Sequence, residues 1–271
     1  MTHRSLIVYS LLPLLLCANL YGETVAIEHA TPGIIDTHSH MGVYPWPEVE
    51  ANSGEAPRGL KMALGENPKR NYGARNQSPA TRMGNMYLIR DAFIKTREYR
   101  AAWEPYNSKK DGAPPARNLN WETLSDVLDG KILVHDHCYR ADEMVHMIQV
   151  ADEFKFKIRS FQHSLEVYKV ADLLAEKGVG VATWADWWGF KVEEWKGIPW
   201  NAAYLISRGV SVSMHSDSSN TVQRLNVEAE KTFKSGMSES DALKMLTLFP
   251  AQILGVDRYI GTLRQEAGSK Q

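Results

Sequence analysis

Cysteine is nearly absent. The 271-residue chain has two, Cys17 and Cys138. Cys17 lies in an apolar leader, so once that leader is removed no intrachain disulfide can form. Cys138 then stands alone, without the base that a thiol nucleophile needs, and reads as a packed thiol. An excess of either charge is also lacking: 31 Lys+Arg stand against 32 Asp+Glu, a formal net charge of −1. Such a chain is not built to neutralise phosphates, which argues against nucleic acid as a partner. Beyond the leader, no run is apolar enough to span a bilayer. What is plentiful is aromatic: 8 Trp, 11 Tyr and 7 Phe supply a large core.

The leader is "MTHRSLIVYSLLPLLLCANLYG". Arg4, an apolar stretch from Leu6 to Leu20 and the small residue Gly22 match a secretory signal peptide. Its shortness and Pro13 favour a cleaved signal over the alternative, an uncleaved anchor. The expectation is a signal peptide over 1–22 and one domain over 23–271. The mature protein would then be secreted or periplasmic and free of the membrane.

The stretch "PGIIDTHSHMG" puts His38 and His40 at the end of a short apolar run. In a strand they face the same way, about 7 Å apart. Two neutral imidazoles so placed can share one divalent ion if further ligands arrive from elsewhere; the plainer reading is a pair of singly hydrogen-bonded histidines. After a Pro/Gly-rich loop, Leu60 to Gly65 reads as a strand, followed by polar loop to Gly84 with a helix start at Ser78-Pro79. Helices follow over Asn85–Trp103 and Asn118–Gly130. The chain then alternates. Strands over Lys131–His137, Phe156–His163, Gly178–Trp184 and Gly209–Asp217 are followed by helices over Ala141–Phe154, Ser164–Lys177, Pro199–Ser207 and Val222–Lys234, with a last helix over Ser238–Leu248. Repeated strand–helix units argue for parallel strands with right-handed crossovers, and for chemistry at the strands' carboxyl ends.

Those ends carry His38, His40, His135, His137, His163 and His215, six of the 9 histidines, together with Asp217; Lys61 lies in the first of the later strands. This clustering points to a metal site. The same residues resemble the amidohydrolase superfamily, metal-dependent hydrolases on a distorted (β/α)8 TIM barrel, and within it the imidazolonepropionase-like branch. The resemblance is carried by "TPGIIDTHSHMG", "GLKMALGENPKR", "SPATRMGN", "ILVHDHCYRADEM", "ADWWGFK" and "HSD", and covers nearly everything after Thr31.

The resemblance implies a ligand set. His38 and His40 would come from the first strand and His135 from the fifth, with His137 competing for that place. His163 would come from the sixth strand, and Lys61 matches a lysine that bridges two metals as a carbamate in binuclear members. Asp217 would both bind metal and shuttle protons. The cofactor would be one or two divalent ions, Zn2+ above all. The reaction would be hydrolysis of a carbon–nitrogen bond, a non-peptide or dipeptide amide, in a small-molecule substrate. Metal-activated water would attack, Asp217 would carry its proton to the leaving nitrogen, and His163 would polarise the carbonyl where a single metal is bound.

Tyr139 and Arg140, beside the fifth-strand ligands, would line the substrate site with His137. Trp187 would join Trp184, Trp188 and Trp195 in an aromatic wall, although the packing of a long loop explains those tryptophans as well. His215 reads as a hydrogen-bond partner to the ligands. Arg70, Arg75 and Arg82 suit a substrate carboxylate or simply a solvated loop. Asp136 and Asp142 read as local polar contacts.

One feature departs from the family. Only 19 residues separate His40 from Leu60, whereas one βαβ unit takes about 30. Strands two and three, and most of the family's small β-sandwich, are expected to be missing, with Glu23–Ala30 one remnant strand. Unpaired edges would invite pairing between copies, a homo-oligomer. The alternative to an enzyme is a truncated homologue that keeps metal binding without catalysis.

Overall fold

The computed structural model describes residues 57–110, 112–187, 189–218 and 221–262. The leader, His38, His40, the short segment after them, Glu23–Ala30 and Trp188 lie outside the described residues. Among the described residues, no helix is long and apolar enough to cross a membrane.

Five strands form one parallel sheet in sequential order: β1 Arg58–Ala63, β2 Ile132–Cys138, β3 Ile158–His163, β4 Gly180–Thr183 and β5 Val212–Met214. Between β1 and β2 come α1 Glu66–Gly73, α2 Arg82–Lys109 and α3 Leu119–Leu128. The later crossovers are α4 Ala141–Phe154, α5 Ala171–Lys177 and α6 Asn201–Ser207, and α7 Leu225–Phe233, α8 Glu239–Lys244 and α9 Leu248–Leu254 follow β5. The parallel α/β organisation expected from the strand–helix alternation is present. Closure into a barrel is not seen among the described residues, where β1 and β5 are the two edges.

Several elements differ from the sequence reading, among them α9, which it did not include. The polar stretch after β1 contains α1, a helix with no buried residue; lacking an apolar stripe, it gives no periodic signal. Helix α2 runs past Pro105 to Lys109. Its start is set by Thr81, whose hydroxyl accepts from Gly84 N at 3.0 Å, rather than by Ser78-Pro79. Between β3 and α5 the chain makes a 3-10 turn, Val167–Val170, instead of continuous helix.

Strand alternation sorts the residues. Val134, Phe161, Val181 and Val212 are buried on one face. They join a core with Met144, Met147, Ile148 and Phe154 of α4, whose 3–4 spacing makes an apolar stripe. Phe93 stacks on Phe156 at 4.6 Å and fastens α2 to this core. Cys138 is buried and free within it, as a packed thiol should be. The other face is polar. Across it the register aligns Lys61, His135 and Ser160 in one row, and Ala63, His137, Gln162, Ala182 and Ser213 in the next row towards the carboxyl ends.

Candidate active site

The imidazoles gather where the polar face meets the carboxyl ends of the strands. His137 lies at the end of β2, with its ring centroid 4.2 Å from that of His163. His215, just past β5, stands 5.0 Å from His163. Asp217 follows two residues on, with Oδ2 3.9 Å from His163 Nδ1. His163 should face the core by alternation with its neighbours, but its φ is 73°. This left-handed backbone turns the ring back among the other imidazoles. Asp217 is left-handed too, at φ 46°. Such backbones are costly for residues with a side chain and concentrate at functional sites.

His163 and its neighbours are fixed from behind. Thr183 donates through its hydroxyl to the His163 carbonyl at 2.9 Å, and Asn201 donates to the Ser164 carbonyl at 3.2 Å. Tyr139 stacks against His163 at 5.1 Å with an 11° tilt, and Trp184 stacks at 4.8 Å. The Trp184 ring nitrogen donates to the Ser216 carbonyl at 3.3 Å, which ties β4 to the segment carrying Asp217. The stack continues from Trp184 to Trp187 at 5.3 Å, then edge-on to Phe190, which is 63% exposed. An aromatic ladder therefore leads from the imidazoles to the surface.

His135 occupies the row below. Its Nδ1 meets Ser160 Oγ at 2.8 Å, and that hydroxyl also accepts from Gln162 Nε2 at 2.9 Å. Burial, helped by the positive charge of Arg159, pushes the His135 pKa down to about 4, so the ring is neutral. The register shift between Val134 and His135 places that row. Lys61, opposite His135, is exposed on the edge strand. The protein it lies against holds its ammonium below the ordinary range, and the Asp217 carboxylate opposes that shift.

The candidate residues thus separate. His137, His163 and Asp217 come together, with Tyr139 and Trp187 on the aromatic side and His215 among the rings. His135 and Lys61 are aligned one row away. Arg140 turns elsewhere: its guanidinium holds Asp142 through two hydrogen bonds of 2.9 Å at the start of α4. Arg82 is likewise committed, to Glu143 and Glu193.

Asn67 is a residue that sequence reasoning missed; its amide nitrogen lies 3.0 Å from His137 Nε2. It sits in the quoted "GENPKR", but a lone asparagine in a polar stretch gives no signal until the fold brings α1 over β2. Glu194 was missed as well. It is fully buried, lies 3.7 Å from Lys191 Nζ and has a pKa raised to about 7 by burial, while the Lys191 ammonium sits 3.7 Å above the Tyr139 ring.

Among the described residues, no three His, Cys, Asp or Glu side chains already converge as a metal set. The donor chemistry nevertheless suits a divalent ion: clustered imidazoles, one of the strand histidines held neutral, and a carboxylate beside them.

No protein-family model matches the chain. Over 260 residues it is 30% identical to amidohydrolase tasK of Hapsidospora irregularis, an alignment that takes in 91% of this chain and 26% of that protein. It also superposes on the crystal structure of an amidohydrolase from Thermotoga maritima MSB8 with a TM-score of 0.70 and 36% identity, covering 76% of this chain and 54% of that one. The chain therefore spans about a quarter of the curated relative's length and about half of the solved structure's. By sequence and by fold, this chain is similar to these two amidohydrolases over part of their length.

Proposed function

We propose that the chain carries the catalytic end of a metal-dependent hydrolase acting on carbon–nitrogen bonds of a small molecule. The observation that carries this reading is that His137, His215 and the Asp217 carboxylate each flank the His163 ring at the carboxyl ends of parallel strands. The amidohydrolase relatives support the hydrolase class.

The residues that would hold Zn2+ or another divalent ion are His38, His40, His163 and Asp217, with His135 or His137 from β2. Of those two, His137 has the better claim, since its ring is the one against His163. The bound ion would supply an activated water and polarise the scissile carbonyl. Asp217, with its side chain 21% exposed, is able to accept a proton from water and return it to a leaving nitrogen. Tyr139 and Trp184 hold the His163 ring by stacking and keep bulk water from its faces. The lowered pKa of Lys61 increases its neutral amine fraction, the form that would react with CO2 to give a bridging carbamate. Trp187 and Phe190 would guide an apolar part of the substrate. Export through the leader and pairing between copies stand as parts of the same proposal.

A second reading, a homologue that binds metal without turnover, has one observation in its favour. Lys61 and Ala63, on the inner face of β1, are exposed, so the described part of the site is open on that side. Elemental mass spectrometry on the purified chain, beside a His38→Ala/His40→Ala double variant and a His163→Ala variant, tests both readings. Near-stoichiometric zinc, lost in the variants, together with hydrolysis of simple amides supports the enzyme. Zinc without turnover selects the second reading, and a folded chain that takes up no metal overturns both.

A further inference from the structure

The segment after β4 is arranged inside out. Over 187–204 the two acids, Glu193 and Glu194, are both buried. Glu193 pairs with the Arg82 guanidinium at the start of α2 and accepts from Glu66 N at 3.0 Å. Glu194 lies against Lys191, whose ammonium is held above the Tyr139 ring. The large apolar side chains go the other way. Val192 and Trp195 are each 69% exposed and Trp200 is 54% exposed, and Phe190 and Tyr204 are exposed as well. Local geometry accounts for this sorting. Val192–Glu194 is a 3-10 turn, closed by Trp195 N donating to the Val192 carbonyl; in such a turn, residues three apart lie one above the other. Trp200 and Tyr204 are four apart at the start of α6, with Tyr204 N donating to the Trp200 carbonyl, and so share a helix face. The Tyr168 hydroxyl pins the backbone between these two pairs by donating to the Lys196 carbonyl at 3.1 Å. Among the described residues of 187–204, Lys196 is the one exposed charged side chain.

Buried acids and exposed aromatics reverse the usual distribution, and an exposed apolar surface of this kind marks a place where something docks. We propose that the outward face of 190–204 is a docking surface for an anionic lipid layer, with Trp195 and Trp200 set among the headgroups and Lys196 at the phosphates. Three points favour lipid over other occupants. Indole and phenol rings, apolar in body and polar at one edge, settle at the boundary between hydrocarbon and water. An exposed lysine with no exposed acid in the same stretch is drawn to a negative surface. A second copy is disfavoured by symmetry: a two-fold contact through this face would bring Lys196 towards its own counterpart, with no acid of the stretch to balance the two. The surface is also ready before it docks. Glu193, tied to Arg82 and to Glu66 N, fixes the turn that displays Val192 and Trp195, so little ordering is left to the moment of contact. The contact is peripheral, of the kind that interfacial segments make, and needs no spanning helix. It revises the expectation of a mature chain free of the membrane. Because the aromatic ladder from the imidazoles reaches the surface at Phe190, the site would open beside the lipid. The proposal itself needs neither metal nor turnover, so it stands or falls apart from the hydrolase reading.

The test is backbone hydrogen exchange over 190–200, read by mass spectrometry on the full chain with and without vesicles of phosphatidylcholine mixed with phosphatidylglycerol. The mixed vesicles should slow exchange over that stretch, and vesicles of phosphatidylcholine alone should slow it less. The readout is local, so binding through the leader, which every variant shares, does not imitate it. Trp195→Ser/Trp200→Ser should abolish the protection. Lys196→Glu should weaken the vesicle affinity measured from it by about fivefold or more, the worth of one basic residue at an anionic surface; it serves alone if the double variant does not fold. Leu119→Ser, which removes an equally exposed apolar side chain at the start of α3, should leave the protection unchanged. Exchange over 190–200 that vesicles do not alter overturns the proposal, even where the chain sediments with them. So does protection that survives these variants. Protection that appears without vesicles as the chain is concentrated overturns it as well, and assigns the face to a second copy.

Discussion

The two faces of the sheet are made by alternate residues of the same five strands, and they differ in kind. On one, Val134, Phe161, Val181 and Val212 pack against the helices in a continuous apolar core. On the other, Lys61, His135, Ser160, His137 and Gln162 form polar rows linked by hydrogen bonds. The first face holds the sheet together by burial. The second holds its side chains in fixed orientations and adds little apolar area. One residue crosses the division. Asp136 points with the apolar set and is fully buried, and among the described residues no hydrogen-bond donor reaches either of its carboxyl oxygens. Burial, reinforced by the nearby Glu143, pushes its pKa well up.

The sharpest way to break this contrast uses adjacent residues of β3. Phe161→Ala should cost about 3–5 kcal/mol in urea unfolding, the usual loss for a buried phenyl ring. Gln162→Ala, one residue along and on the other face, should cost about 1 kcal/mol, the worth of one hydrogen bond. Equal losses would mean that the polar face is as much a core as the apolar one.

A second test addresses the buried acid above the polar face. The pKa of Glu194 stands at about 7 against an ordinary 4.5. Between those values the folded chain holds a proton that the unfolded chain releases. Stability should therefore fall as pH rises through that window, by up to about 1.4 kcal/mol per pH unit from this group. Below it the effect is absent. Glu194→Gln should flatten the slope, read from urea midpoints at a series of pH values; an unchanged slope would assign the dependence to other groups. The smallest effect is expected on neither face: Arg90→Met should change stability by less than about 0.5 kcal/mol, because the pair it breaks is exposed on both sides.

Much of this division is legible before folding. The alternation in "KILVHDH" and "FKIRSFQH" separates Val134 and Phe161 from His135, His137 and Gln162. The pattern of strand then helix gives the parallel sheet. What pattern does not give is where an irregular backbone sends a side chain. By parity His163 belongs with Phe161, and only its left-handed φ brings it to His137. The choice between His135 and His137 is of the same kind, since both face one way and only their height along β2 differs. Arg140 has a good claim by position and loses it to Asp142, two residues away.

The sequence by itself determined the elements and the chemical inventory: parallel strands ending in imidazoles and a carboxylate, two cysteines, no excess of charge. These follow from local rules, periodicity and residue type, which act over a few positions. Only the tertiary structure decided which of those groups meet. Asn67 and His137 lie 70 residues apart, and Glu66 and Glu193 lie 127 apart. Their contacts depend on crossovers, sheet register and strained backbone at strand ends, and no short window of sequence encodes the sum of those three.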